Sequence, residues 1–135
     1  MPALSVDCRV RWGDLDALGH VNNTVFFRFF EEARIALLDR IGLRAQREAT
    51  RTGPILAATS CRFLRPLGFP DDLRCEAWVE SIGNTSFVVA YRLVSAAVGE
   101  AATGDSVVVN YDYDAQAKTP LPATVRAALE GLTAG

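Results

Sequence analysis

The 135-residue sequence has few of the residues that build metal centres and disulfide frameworks. It contains one histidine and three widely spaced cysteines, Cys8, Cys61 and Cys75, with no Cys-x-x-Cys pair and no Cys/His cluster. The odd cysteine count argues against a disulfide framework, and the missing cluster argues against a zinc site. Each cysteine lies in a segment with a strand-like pattern, so we expect small buried thiols in a reducing compartment.

Long apolar runs, linkers and an excess of one charge are also missing. No segment approaches the roughly 20 apolar residues of a membrane span, and no basic stretch followed by an apolar one opens the chain. The 14 basic and 16 acidic residues are evenly spread, which argues against a nucleic-acid-binding or anionic-membrane surface. With 50% hydrophobic residues and no repeat, we expect a single cytoplasmic domain over 1-135.

The most apolar helical pattern in the chain follows a polar turn. Apolar residues recur at the spacing i, i+3, i+4, i+7, which predicts a helix with a buried face. They are Phe26, Phe29, Phe30, Ala33, Leu37 and Ile41. Asn22 or Asn23 suits the N-cap and Gly42 suits a left-handed C-cap. The sequence therefore predicts a helix of about 18 residues, or about 27 Å.

Residues with side chains that can take part in acid–base chemistry lie just before this helix. A helix N-terminus has free N–H groups and the positive end of the helix dipole, so it attracts negative charge. Asp16 and His20 precede it directly. A carboxylate and an imidazole beside unpaired amides suit attack on a carbonyl whose oxygen becomes an oxyanion.

Alternating patterns and turn residues predict five strands around this helix. The predicted strands are 4–12, 54–64, 73–82, 86–95 and 101–113. In the first strand, Val6, Cys8, Val10 and Trp12 share one face. Residues 43–51 are expected to form a short polar helix or a flap, and a short helix starts at Leu121-Pro122.

One antiparallel sheet must therefore bury one very apolar helix. We predict an α+β domain in which the sheet curls around the helix. The helix is too apolar for one thin sheet to cover it, so we expect a dimer with joined sheets.

Four motifs carry a family resemblance that covers nearly the whole chain. They are Asp-Leu-Asp-Ala-Leu-Gly-His-Val-Asn-Asn at 14–23, Glu-Glu-Ala-Arg at 31–34, Phe-Leu-Arg-Pro-Leu at 63–67 and Ser-Ile-Gly-Asn-Thr-Ser at 81–86. With the element order, they resemble the hotdog-fold acyl-CoA thioesterases, in particular the branch similar to hydroxybenzoyl-CoA thioesterase. The resemblance implies a five-stranded sheet wrapped on a central helix, a homodimer or homotetramer, and active sites at the dimer interface.

The resemblance also assigns roles to residues of the turn. It implies that Asp16 is catalytic, either as a general base on water or as a nucleophile, and that the backbone N–H of Asn23 holds the carbonyl oxygen. Plant acyl-ACP thioesterases have a similar turn, which Asp16 and His20 match, but Leu18 stands where those proteins have asparagine. His20 is thus a candidate acid or base, and fixing the loop is its alternative role.

Other residues are candidates for substrate contact. Asn22, Arg62, Asn84 and Ser86 are expected to contact the substrate, and Arg65 is a further candidate for the coenzyme A phosphates. Each could equally be a cap or a solvated strand or turn residue. Asp14 is expected to shape the loop, and the phenylalanines of the helix to form core.

The function expected from these features is hydrolysis of an acyl-CoA to a free acid and CoA, without a metal or bound cofactor. Acyl-ACP hydrolysis and non-hydrolytic binding of an acyl thioester are the alternatives. A hotdog hydratase is a third possibility, although its Asp/His pairing occurs in a different motif. No nucleic-acid or membrane partner is expected.

Overall fold

Residues 2–133, which the computed structural model describes, form six strands and three helices. The strands are β1 (Leu4–Arg9), β2 (Thr52–Phe63), β3 (Asp72–Ile82), β4 (Ser86–Ser95), β5 (Gly99–Asp112) and β6 (Ala117–Lys118). The helices are α1 (Asn23–Arg40), α2 (Leu43–Thr50) and α3 (Ala123–Glu130). A turn of 3-10 helix at Trp12–Asp14 precedes α1.

The strands form one antiparallel sheet in the order β1-β3-β4-β5-β2, with the two-residue β6 beside β5. The sheet curls around α1, which contacts β1, β2, β3 and β4. The predicted α+β class, with a sheet around a central helix and a short C-terminal helix, is confirmed. The small sixth strand adds to the five predicted, and β1 and β2 are the edges.

Helix α1 has 18 residues, as its sequence predicts. The predicted apolar stripe is buried, and it consists of Phe26, Phe29, Phe30, Ala33, Leu37 and Ile41. Phe30 packs so closely on β5 that a Cβ at Gly104 would lie 2.5 Å from its ring. Gly42 takes the expected left-handed conformation, with φ of 81°, between α1 and α2.

The first strand is shorter than predicted, and one of its residues faces outward. β1 ends at Arg9, and the 3-10 turn that begins at Trp12 interrupts the alternation. Val10 is fully buried, but the Trp12 side chain is 73% exposed and packs edge-on against Phe69. The prediction that Trp12 shares the inward face is therefore wrong.

The three cysteines are free thiols. Cys8 and Cys75 are buried, as expected, and Cys61 is partly buried. Burial raises the pKa of the Cys61 thiol to about 11 and that of Cys75 to about 12. Burial also raises the pKa of Cys8, and a hydrogen bond with Glu32 adds to that effect. These thiols therefore stay protonated near neutral pH.

Edge strand β2 is exposed along most of its length. Its apolar residues Ile55 and Phe63 are 40% and 46% exposed. Unpaired strand edges with apolar side chains are unusual on an isolated domain. Among the described helices, none is long and apolar enough to cross a membrane.

Candidate active site

Backbone hydrogen bonds close the polar turn before α1. The N–H of Asp16 donates to the carbonyl of His20 at 2.9 Å, and the N–H of Gly19 donates to the carbonyl of Asp16 at 3.0 Å. Gly19 has φ of 84°, a conformation that glycine adopts without steric cost. Leu15 and Val21 form a bridge at the base of the turn. The backbone around Asp16 is thus fixed.

Two further bonds attach the turn to the rest of the fold. The N–H of Asn22 donates to the carbonyl of Asp14 at 2.9 Å, and the N–H of Val21 donates to the carbonyl of Leu67 at 2.9 Å. Leu67 is fully buried. The turn is therefore held both by its own first residues and by the segment that follows β2.

The buried side chain of Asp14 stabilises the turn. Its side chain is 5% exposed, Oδ2 accepts the N–H of Arg11 at 2.8 Å, and Oδ1 lies 3.4 Å from Nη1 of Arg28. Both carboxylate oxygens have partners inside the loop or on α1. These contacts match the loop-shaping role expected for Asp14.

The Asp16 carboxylate is half-buried and only partly occupied by hydrogen bonds. Oδ1 accepts the N–H of Leu18 at 2.9 Å, and Oδ2 has a long contact, 3.5 Å, with Nδ2 of Asn22. One oxygen orients the side chain while the other has room for a stronger partner. A carboxylate held in this way can accept a proton from water or attack a carbonyl.

Asn22 caps α1 and leaves one amide at the helix start open. Its Oδ1 accepts the N–H and the Oγ1 hydroxyl of Thr24, at 2.9 and 2.7 Å. The N–H of Val25 donates to the Asn22 carbonyl at 2.9 Å. Within residues 2–133, the N–H of Asn23 makes no hydrogen bond. That exposed amide at the positive end of an 18-residue helix is suited to hold a negative oxygen.

His20 contributes its backbone to the turn, and its side chain is exposed. Among the described residues, its imidazole has no hydrogen-bond partner and does not bond to the Asp16 carboxylate. The structure therefore places His20 in the turn without pairing the two side chains.

Aromatic side chains connect the helix start with the end of β2. The ring of Phe63 lies edge-on to Phe26 at 5.0 Å and to Phe27 at 6.4 Å, measured between centroids. Leu18, at the tip of the turn, is 84% exposed. Apolar side chains thus lie at the tip of the turn and at the start of α1.

The remaining predicted contact residues lie at two ends of the sheet. Arg62 is exposed near the end of β2 and pairs with Thr103, whereas Ser86 starts β4 and pairs with Val109. Thr103 and Val109 are about 20 Å apart along β5, at about 3.4 Å per residue. Asn84, in the turn before β4, uses its carbonyl to accept the N–H of Leu121.

Within one chain, the structure therefore brings together only some of the predicted residues. Asp16, His20, Asn22 and Asn23 lie in one turn, and Arg62 precedes the Phe63 that contacts the start of α1. Asn84 and Ser86 are not near them.

Sequence reasoning missed the supporting residues of this site. The Leu67 carbonyl and the Phe63 ring both contact the turn or the helix start, yet they follow it by about 40 positions in the chain. Phe63 lies in the second predicted strand, and residues 63–67 form one of the motifs of the family resemblance, but neither feature predicts a contact with the turn. No local spacing predicts a contact over such a distance. Within residues 2–133, no group of three or more His, Cys, Asp or Glu side chains is placed to hold a metal ion.

The chain belongs to the thioesterase-like superfamily, whose family model matches residues 10–129. The match includes the turn, α1 and the strands β2 to β6. The resemblance identified from the turn motif is thereby confirmed.

Particular relatives agree with this assignment. A thioesterase from Thermus thermophilus, solved with coenzyme A and zinc, is 29% identical, with 97% of this chain and 94% of that chain covered and a TM-score of 0.85. The PA5185 protein of Pseudomonas aeruginosa is 28% identical, with 98% and 92% covered and a TM-score of 0.85. A 1,4-dihydroxy-2-naphthoyl-CoA thioesterase from Synechocystis, 20% identical over 93% of both chains with a TM-score of 0.82, shares the fold.

Curated relatives match over a shorter region. The YsmA protein of Bacillus subtilis is 29% identical over 82 residues, 61% of this chain and 54% of the relative. The THEM6 protein of Danio rerio is 31% identical over 91 residues, 67% of this chain and 45% of the relative. The matched region therefore spans about half the length of these relatives.

Proposed function

We propose that the protein hydrolyses acyl-CoA thioesters and that Asp16 activates the attack. Membership of the thioesterase-like superfamily supports the reaction class. Coenzyme A bound to the 29%-identical Thermus thermophilus structure supports CoA as the carrier of the acyl group. The observation that carries the proposal is the partly free Asp16 carboxylate beside the open N–H of Asn23.

The site would divide the reaction between these two groups. In the general-base route, a water oxygen attacks the thioester carbon while its proton passes to the Asp16 carboxylate. The carbonyl electrons move to oxygen, and the Asn23 N–H and the helix dipole stabilise the resulting oxyanion. Collapse of this intermediate breaks the C–S bond, and the CoA sulfur leaves with the proton. The free acid is the second product.

A nucleophilic route uses the same geometry. The Asp16 carboxylate attacks the thioester carbon directly, CoA leaves, and water then hydrolyses the anhydride. In both routes the negative charge develops on the carbonyl oxygen, so the helix start has the same role. His20 is a second candidate for acid–base chemistry, but its exposed ring has no bond to Asp16 in the described part of the chain.

The exposed edge of β2 supports a homodimer in which two β2 strands pair antiparallel. A two-fold interface places the same strand of each copy side by side in opposite directions. The Phe63 end of one copy would then lie beside the Thr52 end of the other. Since Thr52 and Ser86 lie toward the same end of the sheet, the second copy would bring Asn84 and Ser86 toward the Asp16 turn.

The proposed function is tested by release of free thiol from acyl-CoAs with short, long and aromatic acyl groups, beside the corresponding acyl-carrier-protein thioesters. We expect turnover of CoA thioesters. Turnover of carrier-protein thioesters alone would show that the acyl carrier is a protein and not CoA. Tight binding of acyl-CoA without any turnover would favour a protein that binds acyl thioesters and does not hydrolyse them.

A further inference from the structure

A groove of about 230 Å³ lies between the second half of α1, α2 and the first half of β2. Its apolar walls are formed by Ile35, Leu38, Leu56 and Val108. The helix residues of the groove begin at Arg34, about 17 Å along the helix from Asn23 at 1.5 Å per residue. The groove is thus separate from the Asp16 turn of the same chain.

Three arginines and no acidic residue, among the described residues, line this groove. Arg44 is neutralised, because its Nη1 bonds both carboxylate oxygens of Asp39 at 2.9 Å. Arg47 stacks over the ring of Tyr113 at 4.8 Å and has no carboxylate partner within residues 2–133. The mouth of the groove therefore carries an uncompensated positive charge.

Arg34 places a second positive charge at the inner end. The residue is 8% exposed, and its Nη1 donates to the hydroxyls of Tyr91 and Ser106, both at 3.3 Å. Its nearest carboxylate, Glu31, is 3.8 Å from Nη2 and is 59% exposed, so the pairing is weak. A guanidinium is always charged and is costly to bury without an anion.

Part of the Arg34 guanidinium has no hydrogen-bond partner among the described residues. Its Nη2 makes no hydrogen bond to the described residues. Among those residues, Oδ1 of Asn110 is the only fully buried side-chain atom that lacks a hydrogen-bond partner. Nη2 is therefore not fully buried, and Arg34 is one of the residues that line the groove, where its charge can attract an incoming anion. Arginine binds carboxylates well because its planar donors match their two oxygens.

We propose that this groove binds the far end of an acyl group that carries a carboxylate, so that the enzyme prefers dicarboxylic acyl thioesters. The apolar walls would hold the methylene chain, and Arg34 and Arg47 would hold the carboxylate. A groove of about 230 Å³ is small, which suits a short chain with an acid end.

The inference rests on the proposed function for its substrate, and on the antiparallel pairing of β2 for its location. That pairing sets Pro54, which lines the groove, beside Cys61 of the other copy, two residues before Phe63, and Phe63 contacts the start of α1. The groove of one copy would then continue the thioester site of the second. The acyl group would cross from the Asp16 turn of one chain into the groove of the other.

The test measures binding in an Asp16→Asn background, so that it does not depend on turnover. Succinyl-, glutaryl- and adipyl-CoA are compared with neutral analogues of equal shape, 5-methylhexanoyl-CoA being the partner of glutaryl-CoA. We expect at least one dicarboxylic ligand to bind about tenfold or more tightly than its neutral analogue. Arg47→Gln and Arg34→Met should each remove most of that ratio, whereas Arg40→Gln, an equal charge change on an exposed residue outside the groove, should leave it unchanged.

A neutral ligand that binds as tightly as its charged analogue at every length would overturn the inference. So would a ratio that survives Arg47→Gln, the variant least prone to misfold because Arg47 lies on the exposed rim. If a carboxylate of a second copy already filled the groove, charged and neutral ligands would likewise bind equally well, and the inference would be overturned. If the charged preference is present but no thioester is hydrolysed by the parent chain, the proposed function fails and the groove assignment stands.

Discussion

The Asn22 side chain lies between the start of α1 and the Asp16 carboxylate, with its Nδ2 3.5 Å from Oδ2 of Asp16. The same side chain caps the helix through Oδ1, which accepts the N–H of Thr24. One residue thus joins the group that would attack the thioester to the helix start that would hold the oxyanion. The two roles of Asn22 can be separated by substitution.

Asn22→Asp should leave stability nearly unchanged and lower turnover. Aspartate is as good an N-cap as asparagine, but it cannot donate to Asp16 and adds a like charge beside it. Asn22→Ala should lower both, with a cost of about 1 kcal/mol for the lost cap. Urea unfolding measures the stability of the two variants, and thiol release measures their turnover. Equal turnover in Asn22→Asp and the parent would contradict a role of Asn22 in the site.

Gly104→Ala should destabilise the fold. A Cβ at Gly104 would lie 2.5 Å from the Phe30 ring and even nearer to the Ser60 carbonyl, so α1 or β2 would have to move. Overpacking of this kind costs about 1 to 3 kcal/mol. Gly68→Ala is the matched control, because nothing lies within 4 Å of its Cβ position. Urea unfolding that gives equal midpoints for the two variants would contradict the close approach.

Thiol labelling should follow the raised pKa of the cysteines. Burial raises the pKa of Cys61 to about 11, so its reactive thiolate is rare at pH 8. Alkylation by iodoacetamide should be slow there and rise about tenfold per pH unit until the pH approaches 11. In urea, the three cysteines should react faster, with a midpoint near the ordinary value of about 8.5. Native labelling at pH 8 as fast as in urea would contradict the burial of Cys61.

The same shift affects stability. A thiol whose pKa is raised by folding stabilises the native state below its unfolded pKa. That contribution is lost as the pH rises from about 8.5 toward and through the folded pKa. Unfolding midpoints measured from pH 8 upward should therefore fall, and Cys61→Ala combined with Cys75→Ala should remove part of the fall, because the raised pKa of Cys8 remains.

Ala57→Lys should dissociate the proposed dimer. Ala57 is exposed near the middle of β2, where two antiparallel copies would bring the introduced charges together. Sedimentation should show a monomer, and thiol release should fall because the site is shared. Ser81→Lys, on an exposed residue of β3, is the control and should remain a dimer. A dimeric Ala57→Lys protein would place the interface elsewhere.

Local pattern was enough to predict α1 and the turn before it. The spacing of Phe26, Phe30 and Leu37, with Gly42 after them, predicts an 18-residue helix. It does so because both the buried face and the ends of a helix depend on residues close together in the sequence. The resemblance in the turn then made Asp16 the candidate catalytic residue. The contacts of the turn with Leu67 could not be predicted, because they join residues far apart in the chain.

The errors have the same origin. Trp12 continues the alternation of β1 in the sequence, but the strand ends at Arg9 because Asp14 accepts the N–H of Arg11 and turns the chain. Arg34 lies four residues after Phe30, on the apolar side of the helix, but local spacing does not show which groups would accept hydrogen bonds from a buried guanidinium there. Its burial depends on Tyr91 and Ser106, which belong to other strands.

Thiol release from a panel of acyl-CoAs, with the parent chain beside Asp16→Asn and His20→Ala, tests the central claim most directly. The asparagine is nearly isosteric, and its oxygen can still accept the N–H of Leu18. We expect Asp16→Asn to lose about two or more orders of magnitude in kcat and His20→Ala to lose far less. Equal rates for Asp16→Asn and the parent would contradict the assignment of the chemistry to Asp16.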